Sequence, residues 1–246
     1  MLETVDLQQV MVLDIETVSQ MATFDELNDN FKVLWAHKVR NTLEADQTAA
    51  DVYSNAGLHA EFGKVICISV GVFHLQQGQM GFRLKSFAHR TERELLADFS
   101  NLLHTQPANL VLCGHNSKAF DFPYLCRRMI INGLPLPTQL DVTGKKPWEV
   151  NHLDTMELWR FGDFRSYVSL NLLAAVLGIP SSKDDISGAD VCRVYYEEND
   201  LERIRIYCGK DVLTTAQILR RLRNESPIAL EAVSYAIENR HSEDRR

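Results

Sequence analysis

The run VMVLDIETVS, residues 10–19, constrains the fold of this chain more than any other stretch. Val10, Met11, Val12, Leu13 and Ile15 are apolar, as a buried strand requires, and residues 10–16 read as the first strand. Asp14 and Glu16 interrupt it one residue apart. The two-residue period of a strand puts both carboxylates on one face. Like charges side by side on a half-buried sheet repel, and each is costly to take out of water. The sheet built on this strand must hold something that makes the pair tolerable.

The rest of the chain supplies a mixed sheet and its helices. Residues 20 to about 62 read as a polar, helix-leaning insertion, with helical spacing through Leu27, Phe31, Leu34 and Val39. KVICISVGVF (64–73) and FRLKSFAH (82–89) form a hairpin around QQGQMG. TERELLADFSNLLH (91–104) opens on Thr91 and Glu94, the spacing of a capping box, and continues as a helix. NLVLCGHN (109–116) is a fourth strand. FDFPYLCRRMIIN (120–132) is a helix with proline in its first turn, stopped by Gly133. A short strand falls near His152–Thr155, a helix over 169–180, and a short helix near Val194–Glu197. A long amphipathic helix spans 199–225, ahead of a polar tail expected to fray. With no internal repeat and no low-complexity linker, the 246 residues read as one mixed α/β domain.

The formal charge of −7 argues against a general nucleic-acid binder, which would be basic. Contact with nucleic acid would have to be local, or cations would have to neutralise an acidic site. The five cysteines form no C-x-x-C pair and read as small buried hydrophobes of a reducing compartment. The longest apolar run is about half the length of a membrane span, and the N-terminus has no signal-peptide pattern. A cytoplasmic protein without a membrane segment is the expectation.

Asp14/Glu16 is one of two D-x-E pairs. The other, Asp200/Glu202, has a structural reading, because Asn199 and Glu202 fit a capping box at the head of the long helix. Asp14/Glu16 has no such reading. Tyr-x-x-x-Asp also occurs twice. Tyr196/Asp200 straddles a break between helices. Tyr207/Asp211 lies within the long helix, stacked on one side near its apolar stripe. Asp121 starts a helix, where a carboxylate can simply cap N–H groups. Asn116 adds a polar group just past the fourth strand, where ligands of mixed α/β sheets gather. Four carboxylates from three elements, Asp14, Glu16, Asp121 and Asp211, make sense together around Mg²⁺ or Mn²⁺. Two such ions about 3.5–4 Å apart can serve both the attacking and the leaving oxygen of a phosphodiester. Tyr207 then positions water or phosphate, since a phenol of pKa near 10 is a poor base at neutral pH.

LDIET, GHNSKAFDFPYL and YCGKDV resemble the three exonuclease motifs of the DEDD 3′–5′ exonucleases, in the subgroup with tyrosine in the third motif. EFGKVICISVG, KPWEVNHLDTMELW and LGIPSSKDDISGADV are similar to the predicted exonucleases related to the proofreading domain of family B DNA polymerases. The resemblance runs from about residue 10 to about residue 222. It implies a ribonuclease H-like fold, a five-stranded mixed sheet flanked by helices. It also implies two metal ions on Asp14, Glu16, Asp121 and Asp211, with Tyr207 completing the site, and stepwise hydrolysis from a 3′ end. No polymerase or thumb segment follows, so a stand-alone nuclease is expected.

A single-stranded end is gripped by aromatic faces and a few cations. Thr17, whose backbone follows the acidic pair, Asn116 and Phe120 are the substrate-side candidates, with Trp35, Phe122, Trp148, Lys118, Lys145 and Lys146 behind them. One of Phe120 and Phe122 should be core. His115 and His152 read as structural, and SSKDDISGAD as a surface loop. Single-stranded DNA is the expected substrate. An RNA-trimming enzyme and a silent binding protein on the same fold are the alternatives.

Overall fold

The computed structural model describes residues 2–76, 78–163, 165–180 and 185–236. The first strand, β1 (Val10–Ser19), runs three residues past the expected end, so the acidic pair lies mid-strand. The insertion that follows holds one α-helix, α1 (Asp29–Val39), capped by Asn28 accepting the Phe31 N–H, and otherwise short 3₁₀ turns. Leu27, Trp35 and Val39 are buried there with Tyr53 and Phe62. Leu34, expected on the buried stripe, is exposed, and the neighbouring Trp35 takes its place.

Next come β2 (Gly63–Gln76) and β3 (Gln79–Ala88), a hairpin paired to its tip, where Gln76 faces Gln79. Then follow α2 (Glu92–His104), β4 (Val111–Gly114), α3 (Asp121–Ile131), β5 (Leu153–Asp154), α4 (Thr155–Arg160) and α5 (Leu170–Val176). A short turn, α6 (Val191–Arg193), passes into one π-helical turn before the long α7 (Leu201–Leu222) and a last strand, β6 (Val233–Tyr235). The polar tail beyond residue 236 lies outside the described residues.

The sheet order is β5-β4-β1-β2-β3-β6. β1, β2 and β3 are antiparallel neighbours; β4 runs parallel to β1, β5 to β4, and β6 to β3. This mixed sheet flanked by helices is the ribonuclease H-like architecture, with one strand more than expected. The sixth is β6, three residues on the outer edge of β3, too short to stand out from the sequence around it.

Alternation along β1 sorts the layers. Met11, Leu13 and Ile15 face a core made with Leu95, Leu96 and Phe99 of α2 and Leu125 and Met129 of α3. Val10 and Val12 face the other way, onto Val212, Ala216 and Leu219 of α7. Asp14 and Glu16 continue that second row. The acidic pair is thereby aimed at α7, the helix that carries Tyr207 and Asp211.

Pairing jumps from Glu16 opposite Cys67 to Thr17 opposite Val65, leaving Ile66 as an extra residue in β2. Because of this bulge, Val65 packs in the α2/α3 core while Cys67, two residues on, packs beneath α7.

Two caps differ from expectation. The Thr91 side chain does not cap α2. Glu92 instead accepts from the Val65 N–H at 2.8 Å and forms a two-pronged ion pair with buried Arg128 at 2.8 and 2.5 Å. Asp200, not Asn199, caps α7 through the Arg203 N–H, and Asn199 takes a left-handed turn at φ 56°. Asn, with its short polar side chain, tolerates that turn well.

Candidate active site

β4 pairs with β1 only as far as Val12, so the backbone of β1 beyond that point lacks a strand on this side. Asp121, the first residue of α3, fills the gap: its Oδ1 accepts the Ile15 N–H at 3.2 Å. Asp121, one of the four acids expected to gather, thus ties α3 to the strand between Asp14 and Glu16. Glu16, Asp121 and Asp211 are buried and Asp14 nearly so.

The four carboxylates act on one another. Burial raises the Asp14 pKa well above the ordinary range, and Glu16, Asp121 and Asp211 raise it further by repulsion. Burial, then Asp211, Cys67 and Asp121, do the same to Glu16. Asp121 is pushed up to about 7 by burial, against the hydrogen bond it accepts from the Ile15 N–H. Tyr207 stands one turn before Asp211 on α7, and burial followed by the Asp211 and Glu16 charges raises its phenol pKa. At neutral pH Tyr207 is therefore a hydrogen-bond donor and not a base.

Cys208 also belongs to this cluster and has no distinguishing signal in the sequence. Its Sγ lies 3.4 Å from both the backbone oxygen and Oδ2 of Asp14. Ligand atoms of Asp14, Glu16 and Cys208 fall within 4.8 Å of one another, a group able to hold a cation. Burial raises the thiol pKa, so Cys208 is a donor to Asp14.

The loop from β4 to α3 is shaped by a second residue that sequence reading missed. Buried Asp154 accepts the Asn116 N–H at 2.9 Å and the Lys118 N–H at 3.1 Å, and it caps α4 through Met156 and Glu157. A Cβ on Gly114 would stand 1.8 Å from the Ser117 hydroxyl, so the loop folds back only over glycine. Asn116 turns the chain there at φ 62° and is half-buried.

The substrate-side candidates fall into different settings. Thr17 points to the opposite face from the acids, and its hydroxyl donates to the Gly57 oxygen at 2.8 Å. Phe122 is core, as one of the pair had to be, while Phe120 is half-buried against the Tyr124 ring at 5.3 Å. Trp35 is fully buried between Tyr53, His59 and Phe62, which removes it as a base-stacking platform. Trp148 is 76% exposed, with Lys146 over its ring. Lys118 pairs with Glu157 at 2.8 Å.

Both histidines are structural. His115 bridges Thr155 and the Val168 oxygen, and His152 accepts the Leu112 N–H and donates to the Gln139 oxygen. Residues 181–184 of the SSKDDISGAD loop lie outside the described residues; Asp185 pairs with Arg203, and Ser187 bonds Asp190. Among the described residues no helix is long and apolar enough to cross a membrane.

A DNA polymerase of Archaeoglobus fulgidus is 27% identical over 140 residues, which cover 53% of this chain and 17% of the polymerase. Residues 56–241, most of the chain and including Asp121, Tyr207 and Asp211, match a family of predicted 3′–5′ exonucleases related to the exonuclease domain of PolB. Asp14 and Glu16 precede the matched span, yet they pack into the same cluster as Asp211. With that match over most of the chain, from β2 through α7, the chain belongs to the family of predicted 3′–5′ exonucleases related to the exonuclease domain of PolB.

Proposed function

We propose that this chain is a single-domain, cytoplasmic 3′–5′ exonuclease of the tyrosine-bearing DEDD type, hydrolysing single-stranded DNA from its 3′ end. One observation carries the reading: carboxylates from β1, α3 and α7 meet in one buried, mutually repelling cluster. Such a cluster is costly unless protons or cations neutralise it. Its hard oxygen donors suit Mg²⁺ or Mn²⁺, and the residues present fit a pair of ions held by Asp14, Glu16, Asp121 and Asp211. When bound, the ions supply Lewis-acid stabilisation of charge at the attacking and leaving oxygens.

The chain's own groups do the rest. Cys208 and the Ile15 N–H orient Asp14 and Asp121. The Tyr207 hydroxyl, held protonated, directs the attacking water or the scissile phosphate. Thr17 and Asn116 offer backbone and side chain to the terminal nucleotide, and Phe120 offers a ring to its base.

The test is incubation of 5′-labelled DNA and RNA strands with Mg²⁺, Mn²⁺ or chelator. A ladder shortening from the 3′ end, with metal only, is the expected result; DNA should be degraded faster than RNA. Asp14→Asn should leave the labelled strand at full length. Asp211→Ala should slow cleavage on the order of 10²–10³-fold, and Tyr207→Phe roughly tenfold. A larger loss from Tyr207→Phe than from Asp211→Ala would overturn the positioning role of the phenol.

A further inference from the structure

Across the first turn of α3 from the acidic cluster lies a cavity of about 590 Å³ that the mechanism above does not use. Asp121 and Phe122 are chain neighbours on opposite sides of that turn: the Asp121 carboxylate meets β1, and the Phe122 ring lines the cavity. Among the described residues, Leu140, Val142 and Val150 add apolar wall, and Lys118, Arg160 and Glu157 also line it. The volume and the lining, apolar walls with a few converging charged groups, are those of a small-ligand site.

We propose that this cavity is a subsite for one nucleobase of the substrate strand, upstream of the 3′ nucleotide, with its phosphate on Lys118 and Arg160. The inference rests on the exonuclease reading, which places the strand's 3′ end at the acidic cluster. Lys118 is three residues from Asp121, so their Cα atoms lie within about 11 Å. A strand leaving the cluster over the Asn116–Phe120 loop therefore reaches the cavity within a few nucleotides. An apolar body carrying negative charge suits the apolar wall beside Lys118 and Arg160, and a nucleotide has that make-up. The placement also answers an electrostatic need: a strand held at four carboxylates in a chain of charge −7 requires local cations. Glu157, ion-paired with Lys118, opposes the phosphate and sets how tightly the subsite holds it.

The test uses the full chain and a ten-residue oligothymidylate. Cys126, half-buried in the cavity wall, reports occupancy through peptide-resolved maleimide labelling, with Cys192 as the reference thiol. In chelator, the oligonucleotide should slow labelling of Cys126 and not of Cys192. Val142→Trp, which fills the cavity, should weaken binding about tenfold, the effect of losing one stacked base. In metal it should raise KM by a similar factor with kcat held. Val150→Trp is the second variant should the first fail to fold. Lys118→Gln should weaken binding, and Glu157→Gln should strengthen it.

If the wild type degrades DNA while Cys126 labels at an unchanged rate and the filled cavity binds normally, the subsite is overturned and the exonuclease reading stands. If DNA protects Cys126 but is never cleaved, the activity falls and the subsite survives as a binding site. Neither protection nor cleavage overturns both.

Discussion

At the scale of single residues, the acidic cluster makes stability respond to pH in a defined direction. Asp121 has an ordinary pKa of 3.8, raised to about 7 in the folded chain. Between those values the folded state keeps a proton that the unfolded state has released, so metal-free stability falls as pH rises through that window. Asp14 and Glu16 shift the same way. Metal-free protein should therefore melt lower at pH 7.5 than at pH 5, and Mg²⁺ or Mn²⁺ should raise the melting temperature more at pH 7.5. Asp121→Asn should flatten the metal-free dependence. Scanning calorimetry at the two pH values checks all three statements, and a metal-free melting temperature that climbs with pH would contradict them. Asp14 and Glu16 stood out in the sequence because charge is conspicuous in an apolar run. Cys208 was not, because a cysteine on a buried helix face looks the same whether it packs against a methyl group or a carboxylate.

At the scale of elements, the loop between β4 and α3 owes its shape to a residue far along the chain. Asp154 accepts four N–H groups, two in that loop and two at the head of α4. Asp154→Ala should cost roughly 2–4 kcal/mol in urea denaturation. It should also weaken divalent-cation binding, read by calorimetry, because Asp121 is carried by the same loop. Asp154→Asn, which keeps an acceptor, should recover part of both. Long elements with strong periodicity, β2, β3, α2, α3 and α7, were readable to within a few residues. The helix heads were less so. Thr91 and Asn199 fit capping rules locally, but a tertiary contact draws Glu92 to Arg128, and at α7 the competing local cap, Asp200 on the Arg203 N–H, takes the place of Asn199. Leu34 and Trp35 show the same limit, since adjacent apolar residues leave the phase of a short helix open by one position.

At the scale of the whole molecule, the charge of −7 restricts how nucleic acid can be held. Few phosphates can be neutralised directly, so the slope of log K against log salt should be shallow, about −2 for two or three contacts on a single strand. Fluorescence titration of a labelled oligonucleotide in chelator, at several salt concentrations, measures it; a slope steeper than about −5 would require many more than two or three phosphate contacts and would contradict the local mode of binding. The α/β class and the β2/β3 hairpin followed from the pattern of elements, whereas the order of the strands around β1 and the edge strand β6 are products of tertiary docking. The bulge at Ile66 has a consequence for how this sheet tolerates change. The extra residue sits where the pleat changes phase, so its removal would leave Val65 and Cys67 on the sides they already occupy. A deletion two to four positions later, within residues 68–70, would instead reverse one end of the strand and turn its aliphatic side chains toward the carboxylates. Shortened versions of this hairpin should therefore survive the first cut and not the second.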